Sequence, residues 1–312
     1  VYDSAGWSIS IPPPYGDATF LDVALYKVNL TIPESMVVAA SGSVLNTVSH
    51  ANGTKTLSMV SGPMRDFYIA MRKDYQVISQ TVDGVVVNSY YPPKLADGGK
   101  LALHYAVEGV RLFNQQFGLY PYSELDVVAT PTTAGGVEYS GLVVIAQSLY
   151  EQSGGFFEHA VAHEVAHQWW YGVVGNNQIE APWLDESLTN YSALLYWEKI
   201  EGATAAAEVR KNYFLDSYSQ AKKEGRDRPV AGAVADFSQD DYGTFVYGKG
   251  PLFFEALRQD GGDDVFFKIM QTYYRQYKYK IAYPSDLLAV IEQVSGKSAK
   301  PLYETWITGV KP

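Results

Sequence analysis

Apolar and polar positions divide the chain into two regimes. Up to about residue 82 the apolar residues come in short runs rich in Val, Ile, Leu and Tyr, most clearly at 25–30 and 36–40. Turn residues punctuate them at 12–16, at Asn52-Gly53 and at Asp83-Gly84. Runs of this length and make-up, bounded by such turns, predict strands and an antiparallel β unit. A loop over 91–99 is followed by a predicted helix over 101–117, where Leu101, Tyr105, Val110, Leu112 and Phe113 recur at helical spacing and Gly118 supplies the stop. Two more strands are expected over 126–130 and 142–146. From Phe156 onward the pattern is almost wholly helical, in segments near 156–173, 184–200, 204–222, 249–259, 263–277, 285–294 and 299–308. Gly172, Gly202, Gly261 and Gly296 fall just past segment ends, where C-cap glycines belong. The expected class is α+β: an antiparallel β N-terminal domain, then an α+β unit with a mostly helical second half.

At 312 residues the chain exceeds the usual size of one hydrophobic core, so two domains or one two-lobed unit are expected. No apolar run reaches the ~18–20 residues of a membrane span, which points to a soluble protein without one. The formal charge of −10 is dispersed along the chain. Two short basic stretches, Lys222, Lys223, Arg226 and Arg228, then Arg275, Lys278 and Lys280, are broken by Glu224 and Asp227 or by tyrosines and read as solvated faces. That balance argues against nucleic acid as a partner and favours substrates carrying a cationic amine. Cysteine is absent, which removes disulfides, thiolate ligands and a cysteine nucleophile and leaves the compartment open. Any metal must then be held by His, Asp or Glu. The chain begins at Val1 with no charged n-region or apolar h-region, so a mature form or an excised piece is expected. The sequons at Asn29 and Asn52 matter only in a glycosylating pathway.

The sharpest signal is His163-Glu164-Val165-Ala166-His167 inside a predicted helix. Residues four apart on a helix differ by about 40° in azimuth and about 6 Å in rise, so both imidazoles lean over one spot and can hold one ion. Glu164 lies about 100° around from His163, placed to reach a water on that ion rather than the ion itself. A catalytic zinc takes three protein ligands and keeps a fourth position open. Glu186 is the expected third ligand. It follows a connector holding Gly172, Gly175, Asn176, Asn177 and Pro182 and opens the next helix, so an antiparallel return brings it over the His pair. His159, one turn before His163, competes for that role, but a helix separates it from His167 by about 12 Å, too far for both to bind one zinc. A structural zinc site would be closed by four ligands and would not need the adjacent base.

His163 to His167, eighteen intervening residues and Glu186 together resemble the gluzincin zinc aminopeptidases of the alanyl aminopeptidase and leukotriene-A hydrolase type. Gly135-Gly136-Val137-Glu138-Tyr139 resembles that family's Gly-x-Met-Glu-Asn segment, Trp183-Leu184-Asp185-Glu186 its Trp-Leu-Asn-Glu segment, and Tyr247-Gly248-Lys249-Gly250 its Tyr-x-Lys-Gly segment. Trp306, Gly309 and Pro312 look like the close of its catalytic domain. The resemblance implies a partial N-terminal β domain over 1–82 and a thermolysin-like zinc peptidase domain over 83–312, cut from a longer chain whose flanking domains are missing. It implies one Zn2+ per chain, and peptides with a free N-terminal amine as substrates.

By the same resemblance Glu138 anchors the substrate amine, which makes cleavage exo, with Gly136 and Val137 beside it in the substrate-binding segment. Zinc activates water, Glu164 acts as general base and returns the proton to the leaving amine, and Tyr247 donates to the oxyanion. Tyr242 is a candidate second tyrosine of the cleft. Val137 and Tyr139 stand where the family has Met and Asn, which puts the first side-chain pocket and backbone clamp in question. Asn190, one turn beyond Glu186, is either a supporting polar group or an exposed one. The alternative functions are a zinc endopeptidase without amine anchoring and a catalytically silent interaction module. Intact Glu164 and Tyr247 count against silence, and Glu138 favours exo over endo.

Overall fold

The computed structural model describes residues 2–3, 6–7, 12–152 and 154–309. Pro312, expected at the close of the catalytic domain, lies outside them. The chain forms two compact units, one of residues 22–173 and one of residues up to 21 together with those from 174 onward.

The 22–173 unit opens with strands β1 (Ala24–Pro33), β2 (Val37–Ala40), β3 (Ser43–Ser49), β4 (Thr54–Met64) and β5 (Ile69–Arg72), followed by β6 (Gln76–Val82) and β7 (Val85–Tyr91). Strands β1, β4 and β3 form one antiparallel sheet in that order, and β2 pairs antiparallel with β5. Asp83-Gly84, the turn at which the domain boundary was expected, joins β6 to β7 as a two-residue hairpin. Both its residues have positive φ, 48° and 84°, as a type I′ turn requires. Helix α1 (Ala96–Gln116) then leads to β8 (Glu124–Thr130), β9 (Gly136–Tyr139), β10 (Leu142–Ala146), α2 (Gln147–Gln152) and α3 (Gly155–Ala166). The main sheet has the order β9-β10-β8-β7-β6. Strands β10 and β8 and strands β8 and β7 run parallel, while β9 closes one edge antiparallel to β10. Val127, Val128, Val143 and Ile145 are fully buried, which explains the unbroken apolar runs of β8 and β10: a parallel strand covered on both faces has no polar side.

Three local expectations for this unit are corrected. The segment 91–99 is not a loop, because α1 begins at Ala96 and takes in Gly98 and Gly99. A Cβ on Gly99 would lie 2.1 Å from the Tyr91 ring and one on Gly98 2.8 Å from Tyr150, so these glycines let α1 seat closely against its neighbours. Strand β9, four residues long, lies in what read as a connection. Helix α3 stops at Ala166 instead of 173. Beyond His167 the backbone widens, with Gly172 N–H donating to the His167 carbonyl (2.9 Å) and Val173 N–H to that of Gln168 (3.2 Å). The widened turn sends Trp169 and Trp170 into the core, where they pack on Phe113 and Phe117 of and next to α1.

The other unit is helical: α4 (Trp183–Ile200), α5 (Ala203–Val209), a π-helical turn Arg210–Leu215, α6 (Asp216–Lys223), a second π-helical turn Tyr242–Lys249, α7 (Pro251–Tyr277), α8 (Pro284–Ser295) and α9 (Lys300–Tyr303). The two helices expected over 249–259 and 263–277 are the halves of α7, joined at Gly262, whose φ of 76° breaks the helical path. Gly296 closes α8 in the left-handed conformation with its N–H on the Glu292 carbonyl, as a C-cap glycine should. Trp183 of α4 packs on Phe253 and Phe254 of α7 and on Tyr303 of α9, so the start of α4 is held by aromatic burial. Antiparallel sheets come first and a helical half second, giving the expected α+β class. Among the described residues no helix is long and apolar enough to cross a membrane.

Candidate metal and catalytic site

In the 22–173 unit the His163 to His167 segment occupies the last turn of α3, with His167 as its C-cap. The Nε2 atoms of the two histidines lie 3.0 Å apart. Two nitrogens at ~2.0–2.1 Å from one tetrahedral ion stand about 3.3 Å from each other, so this pair needs only a slight opening to share an ion. His167 Nδ1 lies 3.1 Å from the Trp170 carbonyl. A carbonyl oxygen can only accept, so Nδ1 carries the proton and Nε2 presents its lone pair, the tautomer a metal ligand needs. Two buried imidazoles with converging Nε2 atoms fit a divalent cation well. The ring of His159, one turn back, is centred 6.3 Å from that of His163, outside the close pair.

The carboxylates of Glu138 and Glu164 and a ring nitrogen of His167 lie within 4.8 Å of one another. Both acids are at least nine-tenths buried. Two buried carboxylates this close repel, and a bound cation relieves that repulsion. Glu138 comes from edge strand β9, opposite Val143 of β10. Its flanking residues face elsewhere: Tyr139 stacks on Tyr68 at 4.0 Å between ring centroids, and Val137 joins the same apolar cluster. Strand β9 approaches the zinc-motif helix closely because residue 136 is glycine. A Cβ there would lie 2.3 Å from a Glu164 carboxylate oxygen and 2.5 Å from its Cγ. Gly136→Val is therefore expected to push the Glu164 side chain from its seat and to destabilise the fold by about 1–3 kcal/mol as overpacking does, read from denaturant unfolding. Unaltered stability would show that Glu164 is not seated against this strand.

A residue that the sequence reading passed over ties these parts together. Gln168, fully buried, accepts from Gly141 N–H through Oε1 (2.8 Å) and donates through Nε2 to the Tyr139 carbonyl (2.9 Å). It thus grips both sides of the β9–β10 turn directly after the motif. Arg65 and Asp66 complete the hold, since Arg65 N–H donates to Ser140 Oγ (3.0 Å) and Ser140 N–H to Asp66 Oδ1 (2.9 Å). Its position next to His167 was visible in the sequence; its partners were not.

The other unit carries the remaining candidates. Glu186 lies in the first turn of α4 and is buried. Asp185 Oδ1 accepts from the Glu186 N–H (2.9 Å) and from Asn176 Nδ2 (3.1 Å), and Asn176 Nδ2 also reaches the Ala181 carbonyl (3.2 Å). The connector is thereby pinned to the helix start. Tyr247, in the π-helical turn 242–249, hydrogen-bonds Glu186 through its hydroxyl. Burial first, then the Glu186 charge, raise that hydroxyl well above the usual tyrosine value, so it is protonated and able to donate at neutral pH. Tyr242 packs edge-on against Tyr247 with ring centroids 5.7 Å apart. Asn190 is buried, not exposed, and donates to the Tyr247 carbonyl at 2.7 Å.

The model of the peptidase family M1 domain matches residues 101–306, about two thirds of the chain, and the chain belongs to that family. Among its relatives, Aminopeptidase M1-C of Oryza sativa subsp. japonica is 29% identical over 302 residues, covering 91% of this chain and 34% of its own length. Aminopeptidase 2 of Candida albicans is 25% identical over 302 residues, covering 91% of this chain and 32% of its own. The chain thus spans about a third of the length of the relatives it matches. The crystal structure of an M1 zinc metallopeptidase from Deinococcus radiodurans superposes with a TM-score of 0.76 at 22% identity, covering 93% of this chain and 65% of that one, a likeness of fold.

Proposed function

We propose that this chain carries the catalytic machinery of a zinc aminopeptidase, which releases N-terminal residues from peptides with a free amine. The observation that carries the reading is the pair of converging Nε2 atoms of His163 and His167, 3.0 Å apart, with Glu164 between them in sequence. His163, His167 and Glu186 would hold one Zn2+. The eighteen-residue spacing, the place of Glu186 in the first turn of α4 and membership of family M1 support the third ligand. In this reading 83–312 is the catalytic domain and 1–82 part of a β domain, with further domains in the full protein.

Zinc, when bound there, supplies Lewis acidity that makes water a better nucleophile and polarises the scissile carbonyl. Glu164 takes the proton of the attacking water and later passes it to the departing amine. Tyr247 donates its hydroxyl hydrogen to the carbonyl oxygen as negative charge develops on it. Glu138 pairs with the substrate ammonium and sets how far the first residue enters, with Gly136 and Val137 beside it and Tyr242 behind Tyr247. The buried placement of Glu138 favours this exopeptidase over an endopeptidase lacking an amine anchor. The test is hydrolysis, by the zinc-loaded protein, of fluorogenic aminoacyl amides with free and with acetylated amines. Cleavage of the free-amine forms alone is expected. Turnover blind to acetylation would make the protein an endopeptidase, and no turnover in either series would overturn the enzymatic reading.

A further inference from the structure

Resting on the reading of Tyr247 as the oxyanion donor, we infer that Ser187 and Asn190 are its positioning residues, substituting for helical hydrogen bonds that the backbone around Tyr247 cannot make. In the π-helical turn 242–249 the Gly250 N–H donates five residues back, to the Phe245 carbonyl, at 2.8 Å. That donation takes it away from the Val246 carbonyl, its α-helical partner. The next residue is Pro251, which has no N–H. Val246 is left with neither an α-helical nor a π-helical donor, and Tyr247 loses its α-helical donor, which would have been residue 251. A buried carbonyl that loses its helical donors, as that of Val246 does, is costly, and α4 supplies a donor to each of these two carbonyls. Ser187 Oγ donates to the Val246 carbonyl at 2.6 Å, and Asn190 Nδ2 to the Tyr247 carbonyl at 2.7 Å.

The geometry is specific. Ser187 and Asn190 lie three apart on α4, hence on one face, and follow Glu186 by one and four positions. Both are buried. Ser187 fits because residue 250 is glycine: a Cβ there would lie 2.0 Å from the serine Oγ. The backbone at Tyr247 is therefore gripped from one helix at two successive carbonyls, by Ser187 and Asn190. A tyrosine whose backbone slides along a loosened turn presents its hydroxyl at the wrong place, and oxyanion donors act only when preorganised.

The test compares Ser187→Ala and Asn190→Asp, the latter of unchanged shape but without the amide donor, singly and in a Tyr247→Phe background. Each substitution is expected to lower kcat by about tenfold with KM and zinc stoichiometry unchanged. Neither should lower kcat further once Tyr247 has lost its hydroxyl. Hydrogen exchange of zinc-free protein adds a readout independent of activity: amides of 245–252 should exchange faster in both variants. Equal losses of kcat with and without the Tyr247 hydroxyl would assign Ser187 and Asn190 a merely structural role and overturn the inference. So would unchanged kcat in the two variants while Tyr247→Phe is impaired. If Tyr247→Phe itself keeps full kcat, the oxyanion role fails, and unchanged exchange over 245–252 would then also remove the claim that these side chains hold the turn.

Discussion

Glu164→Gln is expected to lower kcat by about 10²- to 10⁴-fold while the protein keeps its zinc. The amide has the shape of the carboxylate, so the seat against Gly136, where even a Cβ would come within 2.3 Å, stays filled. What it lacks is basicity, and no proton can be taken from the attacking water. His163 and His167 are unchanged, and the Nδ1 contact of His167 to the Trp170 carbonyl still presents Nε2 to the ion. Steady-state kinetics beside elemental analysis for zinc separates these effects. Activity within tenfold of the parent would exclude Glu164 as the base, and Glu138, whose carboxylate lies within 4.8 Å of it, would become the candidate.

Glu138→Ala is expected to cost free-amine substrates about 30-fold or more in kcat/KM, the equivalent of at least about 2 kcal/mol for truncating one partner of a buried charge pair. Acetylated substrates, which bring no ammonium and are not cleaved by the parent, should remain uncleaved by the variant. The magnitude follows from placement. Glu138 is 8% exposed on an edge strand, so an ammonium paired with it is largely removed from water, and Gln168 with the Arg65–Asp66 segment keeps that strand from yielding. Zinc stoichiometry should be unchanged, because Glu138 is not among the proposed ligands. Parental kcat/KM on free-amine substrates in the variant would mean that Glu138 does not read the amine.

Much of the molecule was legible without coordinates because its signals are local. The i, i+4 spacing of His163 and His167 is a property of one helix, and the structure places the two nitrogens as the helical repeat dictates. The starts of α4 and α8 and the left-handed close of α8 at Gly296 were equally local, set by Pro182, Pro284 and a glycine free to take positive φ. Strand β9 escaped because four residues give too short an alternation to read, and its pairing with β10 supplies what its own sequence does not. Gly98 and Gly99 suggested a loop, since a glycine pair breaks helices in isolation; inside the fold they serve close packing on Tyr91 and Tyr150. The end of α3 at Ala166 went unseen for a related reason, because the pull of Trp169 and Trp170 into the aromatic core around α1 is a long-range effect.

By itself, then, the sequence determined the class of the fold, the helices of its second half, the His-Glu-x-x-His segment proposed as metal pair and base, and the family pattern that singles out Glu138, Glu186 and Tyr247 as candidates. The first three depend on periodicity, capping and spacing, which act over a few residues, and the last rests on the family resemblance. Only the tertiary structure decided which buried polar groups hold those residues in place. Gln168 grips β9, Asn176 and Asp185 pin the start of α4, and Ser187 and Asn190 donate to two carbonyls whose α-helical donors are taken away by a π-helical turn and a proline. A hydrogen bond between residues tens of positions apart leaves no periodic trace in a single chain, because its donor and acceptor are matched by folding and not by spacing.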